Sequence, residues 1–209
     1  MTSLLKIERS PRRGLMTLEW VMLAYMALTT LLMFFMYTKL QNPESMLWGR
    51  VRILFITIAM WGVYRLVPCR LTTFARIAVQ MALLSWWYPD TYEFNRLFPN
   101  LDHLFATWEQ SLFGCQPALH FHSVFSWKVF SELMHLGYSA YYPMIGAVVL
   151  YCLLCKYDMM ERAATVIMTS FFVYYIIYIA IPVAGPQYYF LAAGMDNICL
   201  LYTSPSPRD

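Results

Sequence analysis

The side chains with the widest chemical repertoire in this chain are four histidines and five cysteines, and their spacing limits what they can do. His120 and His122 form an H-x-H, which on a strand would set two imidazoles on one face for a metal, but no Cys, Asp or Glu stands close in sequence to complete a zinc shell. Cys152 and Cys155 make a C-x-x-C inside an apolar run, where a thiolate is costly; they read as two small helix-packing residues. With Cys69, Cys115 and Cys199 the cysteine count is odd and has no framework spacing, so the sequence predicts no disulfides, no metal site and no cofactor. Two tyrosine clusters, Tyr138/Tyr141/Tyr142 and Tyr174/Tyr175/Tyr178, suit either helix packing or the wall of a polar cavity. Arg76, Glu132 and His135 are ionisable groups within or at the edge of apolar segments. Such groups either mark a substrate path or reach the interface: for Arg76 the expectation is snorkelling to one membrane face, and for Glu132 and His135 capping or an interfacial position competes with function.

The elements that must position these residues are set by composition. Of 209 residues 60% are hydrophobic and 13% charged, and the mean hydropathy is +0.49, whereas soluble domains run at about 45–50% apolar and about 25% charged. A core of this size cannot hide that much apolar surface, and a lipid bilayer supplies the missing burial. The net charge of +3 without a Lys/Arg-dense tract leaves no electrostatic footprint for nucleic acid. Membrane lipids are the expected partners.

A spanning helix takes about 20 residues, and five apolar segments approach that length: 15–37, 53–68, 71–88, 133–155 and 162–182. Lys6, Arg9, Arg12 and Arg13 precede the first, whose length and lack of an A-x-A-like site argue for a retained span rather than a signal peptide. Glu19 is expected to reach the headgroup region. Trp48, Arg50 and Arg52 before the second span suit an interfacial belt. The third, carrying Arg76 and Gln80, is the least hydrophobic, closes with Trp86, Trp87 and Tyr88, and is expected to stop at Pro89. A short polar turn, 156–162, separates the last two. The fold class predicted is therefore all-α: a multi-span transmembrane helix bundle.

Residues 90–131 form a connection too long for a turn and too aromatic for a flexible linker. Asp90 and Glu93 have the form of a helix-capping pair. Leu101, Leu104, Phe105, Trp108, Leu112 and Phe113 share one helical face, with Asp102, Glu109 and Gln110 elsewhere, which predicts an amphipathic helix lying in the membrane interface and broken by Gly114 and Pro117. Counting Lys and Arg near span ends gives nine on the side of the N-terminus and five on the other. The positive-inside rule then predicts a cytoplasmic N-terminal segment (1–14) and an extracytoplasmic 90–131.

Three segments, in this order, carry a resemblance: YPDTYEFNRLFPNLDHLFATWEQSLFGCQPAL (88–119), SELMHLGYSAYYPMI (131–145) and IPVAGPQYYF (181–190). Together they resemble the non-catalytic half of the type-2 phosphatidic acid phosphatase superfamily, in the branch of fungal inositol phosphorylceramide synthase and its bacterial relatives. The resemblance covers about residues 50–198. It implies a helical membrane bundle that cleaves or transfers a phosphate-linked lipid headgroup without a metal. A histidine in an S-G-H or S-S-H motif attacks phosphorus, and a second histidine, followed by an aspartate, supports it. The location implied is a bacterial inner (plasma) membrane.

None of His103, His120, His122 or His135 stands in S-G-H or S-S-H. The sequence therefore assigns no catalytic residue. The ending CLLYTSPSPRD (199–209) resembles translated adapter read-through, so the expectation is an inactive N-terminal fragment of a membrane lipid phosphatase or phosphotransferase: a membrane domain over 15–198 followed by a non-native tail. Substrate-binding candidates are Gln187, Tyr188 and Tyr189, beside the helix-breaking Gly185 and Pro186, with Glu93 or Arg96 approaching them. The alternative is a non-enzymatic multi-pass membrane protein such as a transporter subunit or assembly factor.

Overall fold

A computed structural model describes residues 7, 11–125, 127–186, 188 and 189. Among these the chain is helical, with one isolated antiparallel bridge between Ile7 and Cys69. Eight α-helices follow in order: α1 (Thr17–Phe35), α2 (Pro43–Leu66), α3 (Arg70–Ala82), α4 (Leu84–Asn95), α5 (Asp102–Phe113), α6 (Pro117–Val124), α7 (Lys128–Cys155) and α8 (Tyr157–Ala180), with a 3-10 turn at Tyr37–Lys39 after α1. Four of them, α1, α2, α7 and α8, are long and apolar enough to cross a membrane. The chain divides into two units, one built from 1–97 and 139–180, the other from 98–138 and 181–209.

Helix boundaries differ from the hydropathy segments for local reasons. α2 begins about ten residues before the apolar run, because Pro43 pre-sets the first turn and Glu44 complements its dipole. Similarly, the polar turn expected over 156–162 shrinks to the single residue between α7 and α8, since Asp158 serves as an N-terminal acid of α8. The expected third span over 71–88 is instead two helices meeting at Leu83. Pro89 does not stop the second of them; it lies inside α4. Buried Trp87 and Phe94 flank it, and Thr91 Oγ1 donates to the Tyr88 carbonyl at 2.7 Å, so packing on both sides outweighs the lost backbone bond. Asp90 and Glu93 are correspondingly mid-helix residues, not a capping pair.

Within the first unit α3 and α4 together run alongside α1 and α8. Arg70 at the start of α3 lies over the Tyr157 ring at the start of α8, 4.5 Å from its centroid, and Arg76 pairs with Glu19 in the first turn of α1. Half-way along, the Tyr175 hydroxyl donates to the Leu84 carbonyl at 3.1 Å. At the far end Phe94 of α4 clusters with Met33 of α1, Ile179 of α8 and Met46 near the start of α2. The broken α3–α4 pair therefore traverses the same length as α1 and α8, in the same direction, and α2 returns antiparallel. The main core fills the space between them, with Tyr25 stacked on Phe172 at 4.4 Å and set edge-on to Trp87 at 5.3 Å.

The buried face of α3 is Thr73, Arg76, Ile77 and Gln80, a stripe at i, i+3, i+4 and i+7 that is polar but for one residue. Gln80 donates to Thr57 Oγ1 of α2 at 2.8 Å, and Thr57 donates to the Ile53 carbonyl at 2.8 Å. Outward faces of the long helices are apolar and uncovered, for example Leu31, Phe34 and Phe35 of α1, and Phe55 and Ile58 of α2.

In the second unit α5 ends where glycine alone is comfortable, at Gly114 with φ 67°, and Pro117 opens α6. The break expected at Gly114 and Pro117 is thus present. Phe105, Trp108, Leu112 and Phe113 of α5 are exposed, with Leu112 at 77%, so nothing in the described chain covers that face.

Candidate functional site

The strongest concentration of buried polar chemistry lies in the first unit. Glu19 occupies the third position of α1 and reaches back to accept a hydrogen bond from the Met16 backbone N–H at 2.9 Å. Its carboxylate also receives Arg76 through both nitrogens of one guanidinium edge, Nε to Oε1 at 2.5 Å and Nη2 to Oε2 at 2.6 Å. Both side chains are fully buried. This overturns two expectations: Arg76 does not snorkel to an interface, and Glu19 does not reach outward. Each is satisfied by the other, and the Arg76 guanidinium lies 5.4 Å from the centroid of the Tyr64 ring. A second, exposed pair, Arg12 with Glu161, ties the segment before α1 to α8, and Glu161 also accepts from the Thr17 backbone N–H at 2.9 Å.

At the other end of this unit, α2 and α4 line an open cavity of about 570 Å³. Helical spacing builds both walls: Ser45, Met46, Gly49, Arg50 and Ile53 from α2, and Ser85, Trp86, Pro89, Asp90 and Glu93 from α4. Gly49 faces Trp86 across the pocket, and a Cβ there would make an ordinary van der Waals contact with the indole nitrogen at 3.5 Å. Arg50 is buried, not part of an exposed interfacial belt. It forms an ion pair with Asp90 at 3.0 Å, donates to the Met46 carbonyl at 2.9 Å and to Thr30 Oγ1 at 3.0 Å, and packs 5.6 Å from the centroid of Trp87. Glu93 is half-buried, and its Oε2 accepts no hydrogen bond; Arg50 Nη2 and Trp87 Nε1 are likewise without acceptors.

The sequence candidates distribute as follows. Glu93 lines this cavity. Arg96 stands one turn on, 4.0 Å from Glu93 Oε1, and donates to Gln41 Oε1 at 2.6 Å. Tyr188 and Tyr189 belong to the second unit, and Gln187 lies outside the described residues. In that unit Asp102, read as a plain polar-face residue, is buried. It accepts from the Ala184 N–H at 2.9 Å and the Gly185 N–H at 2.9 Å, and from Asn100 Nδ2 at 2.7 Å. Gly185 has φ 91°, a backbone shape reserved for glycine, which turns both N–H groups toward one carboxylate. Beside this knot a smaller cavity of about 200 Å³ is lined by Asp102, Phe105, Glu109 and Tyr189, among others.

The remaining candidates are not brought together. His120 and His122 sit on helix α6, where positions i and i+2 diverge, so the strand geometry that would aim both at a metal is absent; the side chain of His122 lies outside the described residues. Cys152 is buried in the core while Cys155 is exposed, so they are not partners. Glu132, His135, Tyr138, Tyr141 and Tyr142 are all exposed along α7, and Tyr175 alone of its cluster is buried. Arg50, Asp90 and Asp102 are the site residues the sequence reading missed. A signal existed for the first two: Arg50 recurs on α2 with Ser45, Met46 and Gly49 at helical spacing, and an arginine on an otherwise packed face demands a counter-charge.

Comparison with protein-family models, with curated proteins and with solved structures returns no match.

Proposed function

We propose that the long helices, with α3–α4 as a broken third crossing, span a lipid bilayer with the N-terminus on the cytoplasmic side, and that the chain is the headgroup-facing portion of a membrane lipid phosphatase or phosphotransferase. Support for membrane insertion comes from four helices of spanning length whose outward faces are apolar. The observation that carries the enzymatic reading is the Asp102 knot. The first and last of the three segments that carry the resemblance, 88–119 and 181–190, are far apart in sequence, and the carboxylate of Asp102 in one holds the backbone N–H groups of Ala184 and Gly185 in the other. A loop pinned in this way is a rigid platform on which a phosphate-bearing headgroup can be presented to a nucleophile. That nucleophile, a histidine in S-G-H or S-S-H, is not among these 209 residues, so the chain as given is expected to turn nothing over.

The test has two arms. Phosphate or headgroup release from mixed phospholipids by the purified chain is expected to equal a lipid-only control. Reading the DNA 3′ of the codon for Ile198 is expected to reveal an S-S-H or S-G-H followed by H-x-x-x-D, and expression with that continuation to give turnover. A stop codon there, or a continuation without those histidines, would refute the proposal and favour a non-enzymatic membrane protein.

A further inference from the structure

We propose that the end of the first unit at which α2 stops and α3 and α8 begin is a docking surface for the anionic phospholipids of one membrane leaflet. Several segments converge there. The stretch before α1 bridges to α2, where the Arg12 backbone N–H donates to the Tyr64 hydroxyl at 3.1 Å, and to α8, where Arg12 pairs with Glu161 at 2.5 Å. Arg70, the first residue of α3, lies 4.5 Å from the ring centroid of Tyr157, the first residue of α8. This convergence gathers Arg13, Arg65, Arg70, Lys156 and Arg162, none of which has a salt-bridge partner among the described residues. The acids that could neutralise them are engaged elsewhere: Glu19 is held by Arg76 in the interior, and Glu161 by Arg12. Of the acids on these segments Asp158 is left. The opposite end of the unit lacks this imbalance, because Asp90 holds Arg50 and Glu93 stands beside Arg96.

The neighbours of these cations select a lipid over a water-soluble anion. Val63, Leu66, Val67 and Leu71, on either side of Arg65 and Arg70 in sequence, are exposed, Leu66 at 83%, so the cations stand at the border of an apolar flank. Arg65 lies 5.3 Å from the centroid of the Trp61 ring, and an indole with a guanidinium at the end of an apolar helix is the composition of a headgroup-level belt. A phospholipid matches both halves of this surface. Its phosphate meets guanidinium and ammonium groups, and its acyl chains lie along the apolar residues. A nucleic acid or an acidic protein would satisfy the cations and leave the apolar flank in water. The proposal rests on the membrane crossing of the long helices, but neither on which leaflet is cytoplasmic nor on the enzymatic reading above.

In the experiment the purified 209-residue chain in dodecyl maltoside is offered equal amounts of dioleoyl phosphatidylglycerol and dioleoyl phosphatidylcholine, and the lipid that co-elutes with it in size-exclusion chromatography is quantified by mass spectrometry. The expected result is an excess of phosphatidylglycerol of more than about tenfold, lowered about fivefold by Lys156→Gln and again by adding Arg65→Gln. Asp158→Asn, which removes the remaining acid, is expected to raise the excess. Arg52→Gln takes an equal charge from the half of α2 nearer the opposite end and is expected to leave it unchanged. All four replaced residues are exposed, and far-UV circular dichroism checks that each variant keeps its helices. Equal retention of the two lipids overturns the proposal, as does a preference that Arg52→Gln lowers as much as Lys156→Gln. Loss of phosphatidylglycerol to millimolar inorganic phosphate, but not to chloride of the same ionic strength, would assign these cations to a small anion and equally overturn it. Alkaline carbonate extraction from vesicles tests the membrane reading separately: a chain that stays in the membrane pellet yet shows no preference refutes the lipid surface alone, and a chain that is extracted refutes both.

Discussion

Replacing Glu19 by Gln isolates the energetic weight of the most deeply buried charge pair. The exchange keeps the shape and one acceptor oxygen but strips the negative charge from a site in which Arg76 is fully buried. Arg76 then retains the Gly14 carbonyl at 3.4 Å, a long contact, and its Nη1 already has no acceptor. An uncompensated buried guanidinium costs about 3–5 kcal/mol when its partner is removed, a large share of the roughly 5–15 kcal/mol that holds a typical domain together. Glu19→Gln is therefore expected to unfold the first unit at markedly lower denaturant, read as loss of the near-ultraviolet signal of buried Trp87 and Tyr25 in detergent micelles. The double replacement Glu19→Leu with Arg76→Met removes both charges, and because desolvation of the two ions opposes their attraction it is expected to recover most of the loss. A single-variant cost below about 1 kcal/mol would match a solvated surface pair and would refute the claim that this pair is sealed inside the bundle. A double variant no better than the single one would show instead that packing around these side chains, not charge, holds the site.

The remaining expectations concern topology, the interfacial helix and activity. In a background with Cys115, Cys155 and Cys199 replaced by Ser, an impermeant thiol reagent applied from outside should label Ser111→Cys and not Asp158→Cys, both positions being exposed; the reverse pattern overturns the orientation or the crossing of α3–α4, and labelling of neither or both overturns the crossing of α7, the helix between the two positions. Trp108→Asp should increase protease cleavage within 98–116 in membranes far more than Gln110→Asp, because only the former sets a charge on the uncovered apolar face of α5; equal sensitivity would count against burial of that face in lipid. The chain itself should release no phosphate from lipid, as argued for the missing histidine motif.

What the sequence made legible was the part governed by composition over a window. The four long helices, the amphipathic α5 and its break at Gly114 and Pro117 all follow from apolar runs and from residues with restricted backbones. The partners of buried polar residues were not legible, because no local period says that Glu19 will meet a residue 57 positions away. The same limit explains Pro89. A lone proline is a sound stop signal for an isolated helix, and here Trp87, Thr91 and Phe94 carry the helix through it by contacts that only the folded chain supplies.

α3 shows why a hydropathy window ranks such a segment last although it is central to the packing. A window averages all sides of a helix, so Arg76 and Gln80 count against insertion even though both point into the bundle and are satisfied there. In lipid the outside of a helix must be apolar and the inside is where polar groups find partners, the reverse of the arrangement in water. A polar stripe at i, i+3 and i+7 in an otherwise apolar helix, with a solitary acid in another apolar helix, is thus evidence for a pairing between those two helices. The same logic corrects the charge count that sets orientation. Arg76 belongs to Glu19 and Arg50 to Asp90, so neither is a free cation at a membrane face. One is removed from each side, and the excess of Lys and Arg on the side of the N-terminus is unchanged. The orientation argument therefore rests on the basic residues of the N-terminal segment and of the α2–α3 and α7–α8 connections, the positions at which the labelling experiment reads it.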